Sequence, residues 1–341
     1  MLIITNQNGS VIKELKDLDN FLYADLSGLK LPKADLSGTV MFQANLTGVN
    51  LISADLRLTN LINTTLDNAV VSNATFKSSK LDKASLKNLD GDGANFSNTS
   101  AVHSDWTRAT LIKADFSKSD LNHTTFCDVK AERAEFYEAK FTHANLSGTV
   151  FRFSSMLRLR GQSAQFINTN LEQVDFEAAQ LTWANFSEAN LTGALMRNVK
   201  SNNANFTRAN MTQANLNQSD FDNANLSHAT LVRASAFKTN FTHANLRDAN
   251  LDKASLNGCT LNLAQLQGAI LTNIDLKAVN LKGAQYNEDT VFPPDFDPQE
   301  NGLIYSKQPP QSELDRVSNV NDTPAGKKTK QSWRNVVKRI R

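Results

Sequence analysis

This 341-residue chain is poor in cysteine, with only Cys127 and Cys259, and that scarcity argues against a disulfide-stabilised secreted fold. Proline (7) and glycine (14) are also sparse, so the chain is not a low-complexity polymer. No apolar run approaches membrane-spanning length, and the apolar start, residues 1 to 5, is too short for a signal peptide. A bacterial or cytoplasmic soluble protein is the default expectation. Net charge is +2, so charge of neither sign dominates. Missing too are a Gly-rich phosphate loop, Cys/His metal spacing and a nucleophile elbow. No enzyme is expected, no catalytic residue is assigned, and no cofactor is called for.

What the chain does have is a period of five residues. Every position ending in 1 or 6, from Phe21 to Tyr286, belongs to one series of centres without insertion or deletion. Of these 54 centres, 48 are Leu, Phe, Met, Val, Trp or Tyr, which marks the series as inward-facing. The exceptions are Gly91, Ala101, Ala131, Gly161, Ser201 and Ala236. Two residues before each centre stands a small residue, usually Ala (Ala24, Ala34, Ala44, continuing to Ala284). Period five matches neither the 3.6 of a helix nor the 2 of a strand. It describes a very short extended segment followed by a turn. Gly28, Gly38, Gly48 and Gly148, each two after a centre, suit a positive φ there. Asp or Asn before the centre (Asp25, Asp35, Asn45) suits a side chain bonding local backbone.

The repeat Ala-(Asp/Asn)-(Leu/Phe)-x-x, as in Ala24-Asp25-Leu26-Ser27-Gly28 and Ala144-Asn145-Leu146-Ser147-Gly148, resembles the pentapeptide-repeat family over residues 21–286. The resemblance implies an all-β, right-handed, quadrilateral parallel β-helix with four pentapeptides per coil. At about 4.8 Å per coil the rod would be roughly 65 Å long. Columns of 20 residues then place Phe76, Phe96, Phe116 and Phe136 on one face, with Trp106, Phe126, Phe166 and Phe186 opposite. The small centres fall mainly on the other two faces, as dense packing requires. Cys127 and Cys259 are then several coils apart, beyond disulfide reach, with Cys259 inward and Cys127 outward.

The organisation that follows is an N-terminal cap at 1–20, the solenoid at 21–286, a C-terminal cap at 287–306, a flexible linker at 307–330 and a basic amphipathic tail at 331–341. Leu2 to Ile4 and Val11 to Ile12 flank Asn6-Gln7-Asn8-Gly9 and read as a hairpin. A solenoid end exposes apolar core and strand edge, so a cap is physically expected.

Three features on the outward positions, and a fourth in the C-terminal tail, are candidates for function. His103, His123 and His143 are spaced by 20, with His243 further along the same column. Stacked imidazoles can share a transition metal or respond to pH, although a repeat stacks whatever it copies, and no metal site is assigned. Glu132–Arg152–Glu172, Glu138–Arg158, Glu177–Arg197 and Glu188–Arg208 become axial neighbours of opposite sign and read as register-setting ladders. Tyr137, Phe153 and Leu157, beside Arg152, Arg158 and Arg160, form the best protein-binding patch, because exposed apolar side chains beside Arg are common interface anchors. Lastly, Trp333, Val336, Val337 and Ile340 follow helical spacing among Arg334, Lys338, Arg339 and Arg341. Such a tail suits an anionic membrane surface or an acidic partner, or remains a solubilising tail.

The leading expectation is a non-enzymatic scaffold that binds an unidentified protein partner along its walls, with a homodimer through a solenoid end as another arrangement. One alternative is a cytoplasmic rod attached peripherally to a membrane by its tail. Another, implied by the family resemblance, is mimicry of duplex DNA to inhibit a type II topoisomerase. The near-neutral repeat disfavours it, and nucleic acid is not expected as a partner.

Overall fold

The computed structural model describes residues 1–307, and no helix occurs among them. The linker beyond 307 and the tail at 331–341 lie outside the described residues. From Asp25 onward the backbone forms isolated parallel bridges between residues 20 apart, such as Asp55 with Thr75, Thr75 with Asn95, and Asn95 with Asp115. The repeat is a β-solenoid in which each coil takes 20 residues, or four pentapeptides.

One pentapeptide explains why the chain closes this way. The amide of each centre donates to the coil ahead (Phe76 N to Asn95 O, 2.7 Å), and the amide before it donates to the coil behind (Asn95 N to Ala74 O, 2.9 Å). Two residues after the centre a third amide also donates forward (Ser78 N to Ser97 O, 3.0 Å). The centre's own carbonyl accepts from the amide three residues on (Ala109 N to Trp106 O, 2.9 Å), closing a tight turn. The remaining amide, just after the centre, is bonded by a side chain in many coils. Asp or Asn before the centre supplies it directly, as Asp105 Oδ1 does for Thr107 N at 3.0 Å. At some coils with Ser or Thr in that position, an Asp or Asn in the coil behind reaches across. Asp82 accepts from Val102 N and Ser100 Oγ, and Asp92 accepts from Ile112 N. The backbone donors of a pentapeptide thus bond mainly to neighbouring coils and to the turn, as a narrow rod requires.

Each corner needs a left-handed residue. Two after every centre, from Tyr23 to Asn273, φ lies between 52° and 72°. Glycine occupies few of these corners, and Asn, His, Arg, Lys, even Phe153 (φ 61°) and Trp183 (φ 63°), adopt the same conformation. No Val, Ile, Thr or Pro stands at any of them. Glycine is therefore not the signal for the corner. The signal is the exclusion of β-branched residues and proline, whose geometry resists positive φ.

All centres from Phe21 to Tyr286 are buried. The rings form the columns that the 20-residue spacing predicts. Phe76, Phe96, Phe116 and Phe136 stack at centroid separations of 4.8, 4.8 and 5.2 Å. Trp106 meets Phe96 and Phe116 edge-on at 5.0 and 5.3 Å, a favoured aromatic geometry. Its indole N–H donates to Ser104 Oγ (2.7 Å), which donates to Ala101 O (2.6 Å).

Small centres are also matched locally, which the opposite-face reading did not anticipate. Leu89 precedes Gly91, Val129 precedes Ala131, Leu159 precedes Gly161 and Val199 precedes Ser201. In these pairs the bulk moves from the centre to the position two before it. A Cβ built on Gly91 would lie 2.9 Å from Leu111 Cδ2 and 3.0 Å from Leu89 Cδ2. Ala236 follows Ala234 and breaks the rule. Ser201 is fully buried and its hydroxyl has no partner. Ser201→Ala is expected to raise stability by about 1 kcal/mol, since it removes an unsatisfied buried hydroxyl. Thermal midpoints of the two proteins check this, and a lowered midpoint would refute it.

The ends depart from the period. Strands β1 (Leu2–Thr5) and β2 (Val11–Leu15) pair antiparallel around the turn that contains Asn6-Gln7-Asn8-Gly9. Thr5 O accepts from Asp35 N at 2.8 Å, and Ile4 joins the buried core. At the far end Ile270 bridges Val291, a spacing of 21 rather than 20. Strand β3 (Gln285–Tyr286) then pairs parallel with β4 (Ile304–Tyr305). Phe292 and Phe296 pack against the core.

Candidate protein-binding surface

The corners and walls carry whatever recognition this rod performs, because the interior is filled. Phe153 stands at a corner, 42% exposed in spite of its ring. The guanidinium carbons of Arg152 and Arg133 lie 5.1 and 6.0 Å from its centroid, within cation–π range. Arg152 in turn has Nε 3.0 Å from Glu172 Oε2, an ion pair without hydrogen-bond alignment. The continuous Glu132–Arg152–Glu172 ladder expected from the columns is therefore only half made. Arg152 engages Glu172 and Phe153, and Glu132 Oε2 is buried without a hydrogen-bond partner.

Tyr137 occupies the next wall, with Leu157 one coil further along its column. Its hydroxyl bonds the Glu138 carboxylate, which raises the phenol's pKa and lowers that of Glu138. Arg158 Nη1 donates to the same hydroxyl at 3.5 Å and pairs with Glu138 at 3.5 Å, while Lys118 Nζ lies 5.9 Å from the ring. Arg160 is exposed but bridges Lys140 and Gln180, so it lies on the following wall, around the corner from Tyr137. The predicted patch thus resolves into two cation–aromatic groups, at Phe153 and at Tyr137, with Arg160 apart from both.

The remaining ladders form. Glu177–Arg197 closes at 2.5 Å and Glu188–Arg208 at 3.9 Å; being exposed, each contributes at most about 1 kcal/mol. Opposite signs therefore alternate along these walls. Cys259 is buried, its thiol pKa pushed up to about 11 by burial, and Cys127 is half-buried; both are free.

His103, His123 and His143 are exposed and stack along one edge, with ring centroids 4.9 and 5.2 Å apart. His243 is separated from them and has Asp222 Oδ1 at 3.2 Å from Nδ1. Sequence reasoning missed Trp183, which shares this column and is 63% exposed. It also missed Leu58, 70% exposed in a shallow groove with Arg57 and Lys77. The rule that singled out Phe153, an apolar residue on an outward position, applies equally to both.

No helix among the described residues is long and apolar enough to cross a membrane. The tail residues Trp333, Arg334, Val336, Val337, Lys338, Arg339, Ile340 and Arg341 lie outside the described residues.

Comparison with known proteins places this architecture. No curated protein matches the sequence. Among solved structures, the chain is similar to HetL, a pentapeptide repeat protein involved in heterocyst differentiation regulation from the cyanobacterium Nostoc sp. strain PCC 7120, at 23% identity over 78% of this chain and 90% of that one, with a TM-score of 0.20. It is also similar to full-length QnrB1, a plasmid-mediated fluoroquinolone resistance protein, at 17% identity over 71% and 96% of the two chains, TM-score 0.23. A pentapeptide repeat protein of the Arabidopsis thaliana thylakoid lumen matches at 29% identity over 34% and 67%, TM-score 0.17. The family model described as pentapeptide repeats (8 copies) matches residues 20–57, 54–88 and 92–126, and the pentapeptide repeat region model matches 129–206 and 204–286. Together these matches span the period-five register, and the chain belongs to the pentapeptide-repeat family, whose members are in general structural or interaction proteins.

Proposed function

We propose that this protein is a non-enzymatic scaffold that binds a protein partner along the wall and corner bearing Tyr137, Arg152, Phe153, Leu157 and Arg158. The observation that supports this reading is the exposure of Phe153 in a left-handed conformation between two guanidinium groups. A bulky residue costs free energy both by that backbone conformation and by its exposed ring. The coil imposes that conformation on every corner, but the exposed ring does not serve the solenoid, and an Arg-flanked aromatic is a common interface anchor. In this reading the rod has the right-handed, quadrilateral form, with residues 1–20 and 287–306 as caps over its apolar ends. It works in the cytoplasm.

Residues 331–341 supply a second contact, to an acidic partner or an anionic membrane surface, on the strength of their basic, helically spaced sequence. DNA mimicry is the weaker reading, because the ladders Glu138–Arg158 and Glu177–Arg197 alternate sign where a mimic needs a continuous acidic wall.

Affinity capture compares the full chain, a Tyr137→Ala/Phe153→Ala/Leu157→Ala variant and a 1–326 truncation, each also sedimented with anionic vesicles. The triple variant is expected to lose a partner that the full chain retains, and an identical set of captured proteins would reject the patch. Equal vesicle pelleting of the full chain and the truncation would reject the membrane contact.

A further inference from the structure

We propose that His103, His123 and His143 form a chelating edge for a borderline divalent transition ion such as Zn²⁺, bound by two adjacent imidazoles at a time. The three share one backbone conformation, with φ of 59°, 58° and 57°, and each amide is bonded to the next coil at 3.0–3.1 Å. Their Cα–Cβ bonds are therefore held by the solenoid in register, one coil apart. The rings are exposed and stacked at 4.9 and 5.2 Å with interplanar angles of 21° and 19°. The backbone is already ordered, and only ring rotation is left for a metal to impose.

The chemistry of these three rings also differs from that of the other histidines. His228 has Asp248 at 3.7 Å and His243 has Asp222 at 3.2 Å. No hydrogen bond or ion pair engages the rings of His103, His123 or His143 among the described residues, so their nitrogens are available as ligands. Imidazole is a ligand for Zn, Cu and Ni rather than for Mg or Ca.

Two nitrogens about 2.0–2.1 Å from a tetrahedral Zn²⁺ must be about 3.3 Å apart. The near-parallel stacked rings aim their in-plane nitrogen lone pairs alongside one another and not at a common ion, and no preformed three-ligand cluster exists among the described residues. Rotation about the soft Cβ–Cγ bond of each ring brings neighbouring nitrogens together without moving the backbone. The result is a two-ligand chelate completed by water. His103–His123 and His123–His143 are overlapping sites that share His123, so one ion excludes a second.

Zn²⁺ titration of tag-free full-length protein tests the inference, with Mg²⁺ as control and His123→Gln, His103→Gln, His143→Gln and His243→Gln variants. Gln is tolerated at these corners, since Gln43, Gln173, Gln213 and Gln218 already adopt positive φ; melting curves verify that each variant folds. One Zn²⁺ per chain is expected. His123→Gln should weaken binding at least about tenfold, because it breaks both pairs. His103→Gln and His143→Gln should each cost only about twofold, and His243→Gln nothing, with Mg²⁺ not taken up. Unchanged binding in His123→Gln, or loss of binding in His243→Gln, overturns the proposal. Ni²⁺ gives an independent readout: broadening of the ring proton resonances should be confined to residues 103, 123 and 143, and uniform broadening of all five histidines would also overturn it.

Discussion

Leu89→Ala and Gly91→Leu should each destabilise the solenoid severely when made alone, and together they should restore most of what is lost. Leu89→Ala leaves a cavity beside a centre that has no side chain, at about 2–5 kcal/mol. Gly91→Leu forces a branched side chain into space where even a Cβ approaches Leu111 and Leu89 to about 3 Å; overpacking of this kind costs about 1–3 kcal/mol or more. The double variant recreates the Ala-x-Leu arrangement common elsewhere in the rod, as at Ala24–Leu26 and Ala144–Leu146. The expected coupling between the two sites is at least about 2 kcal/mol. Chemical denaturation of the four proteins in the cycle measures it. If the effects simply add, the bulk exchange between the two positions is not a packing device, and Gly91 is retained for some other reason.

Asn98→Val should destabilise by about 2 kcal/mol although Asn98 is exposed, while Asn98→Gly should be close to neutral. Asn98 has φ 56° and stands at one of the corners. An ordinary L-residue there costs roughly 1–2 kcal/mol relative to its right-handed conformation; Asn and Gly reduce that cost. A β-branched side chain raises it by crowding the backbone on both sides. Thermal midpoints of the Asn98 variants measure the corner strain. Equal tolerance of Val and Gly at 98 would show that the positive φ is not maintained.

Much of the interior was legible before any coordinates. The unbroken register named every centre, and columns of 20 correctly paired Phe96 with Phe116 and Glu177 with Arg197. The outward surface was less legible. Phe153 and the three histidines stood out in the sequence, but Trp183 and Leu58 did not, although they occupy the same kind of corner. Arg160 joins the predicted patch because it is near Leu157 and Arg158 in sequence, whereas one corner of the coil turns it onto another wall. Closeness along the chain misleads in a solenoid: residues 20 apart are neighbours, and residues three apart can face different directions.

By itself, the sequence determined that this is a pentapeptide-repeat solenoid and which side chains fill it. A period of five with a small residue two before a large one admits one kind of short segment and turn, and burying 54 centres leaves no choice of face. Only the tertiary structure decided that every corner is left-handed whatever its residue, because that conformation is imposed by the hydrogen bonds of the coils on either side. It also decided that Leu89 fills the space Gly91 leaves, and that Arg152 turns to Glu172 and Phe153 rather than to Glu132. These are choices among side-chain arrangements within one register. They depend on distances between coils, which a one-dimensional repeat leaves open.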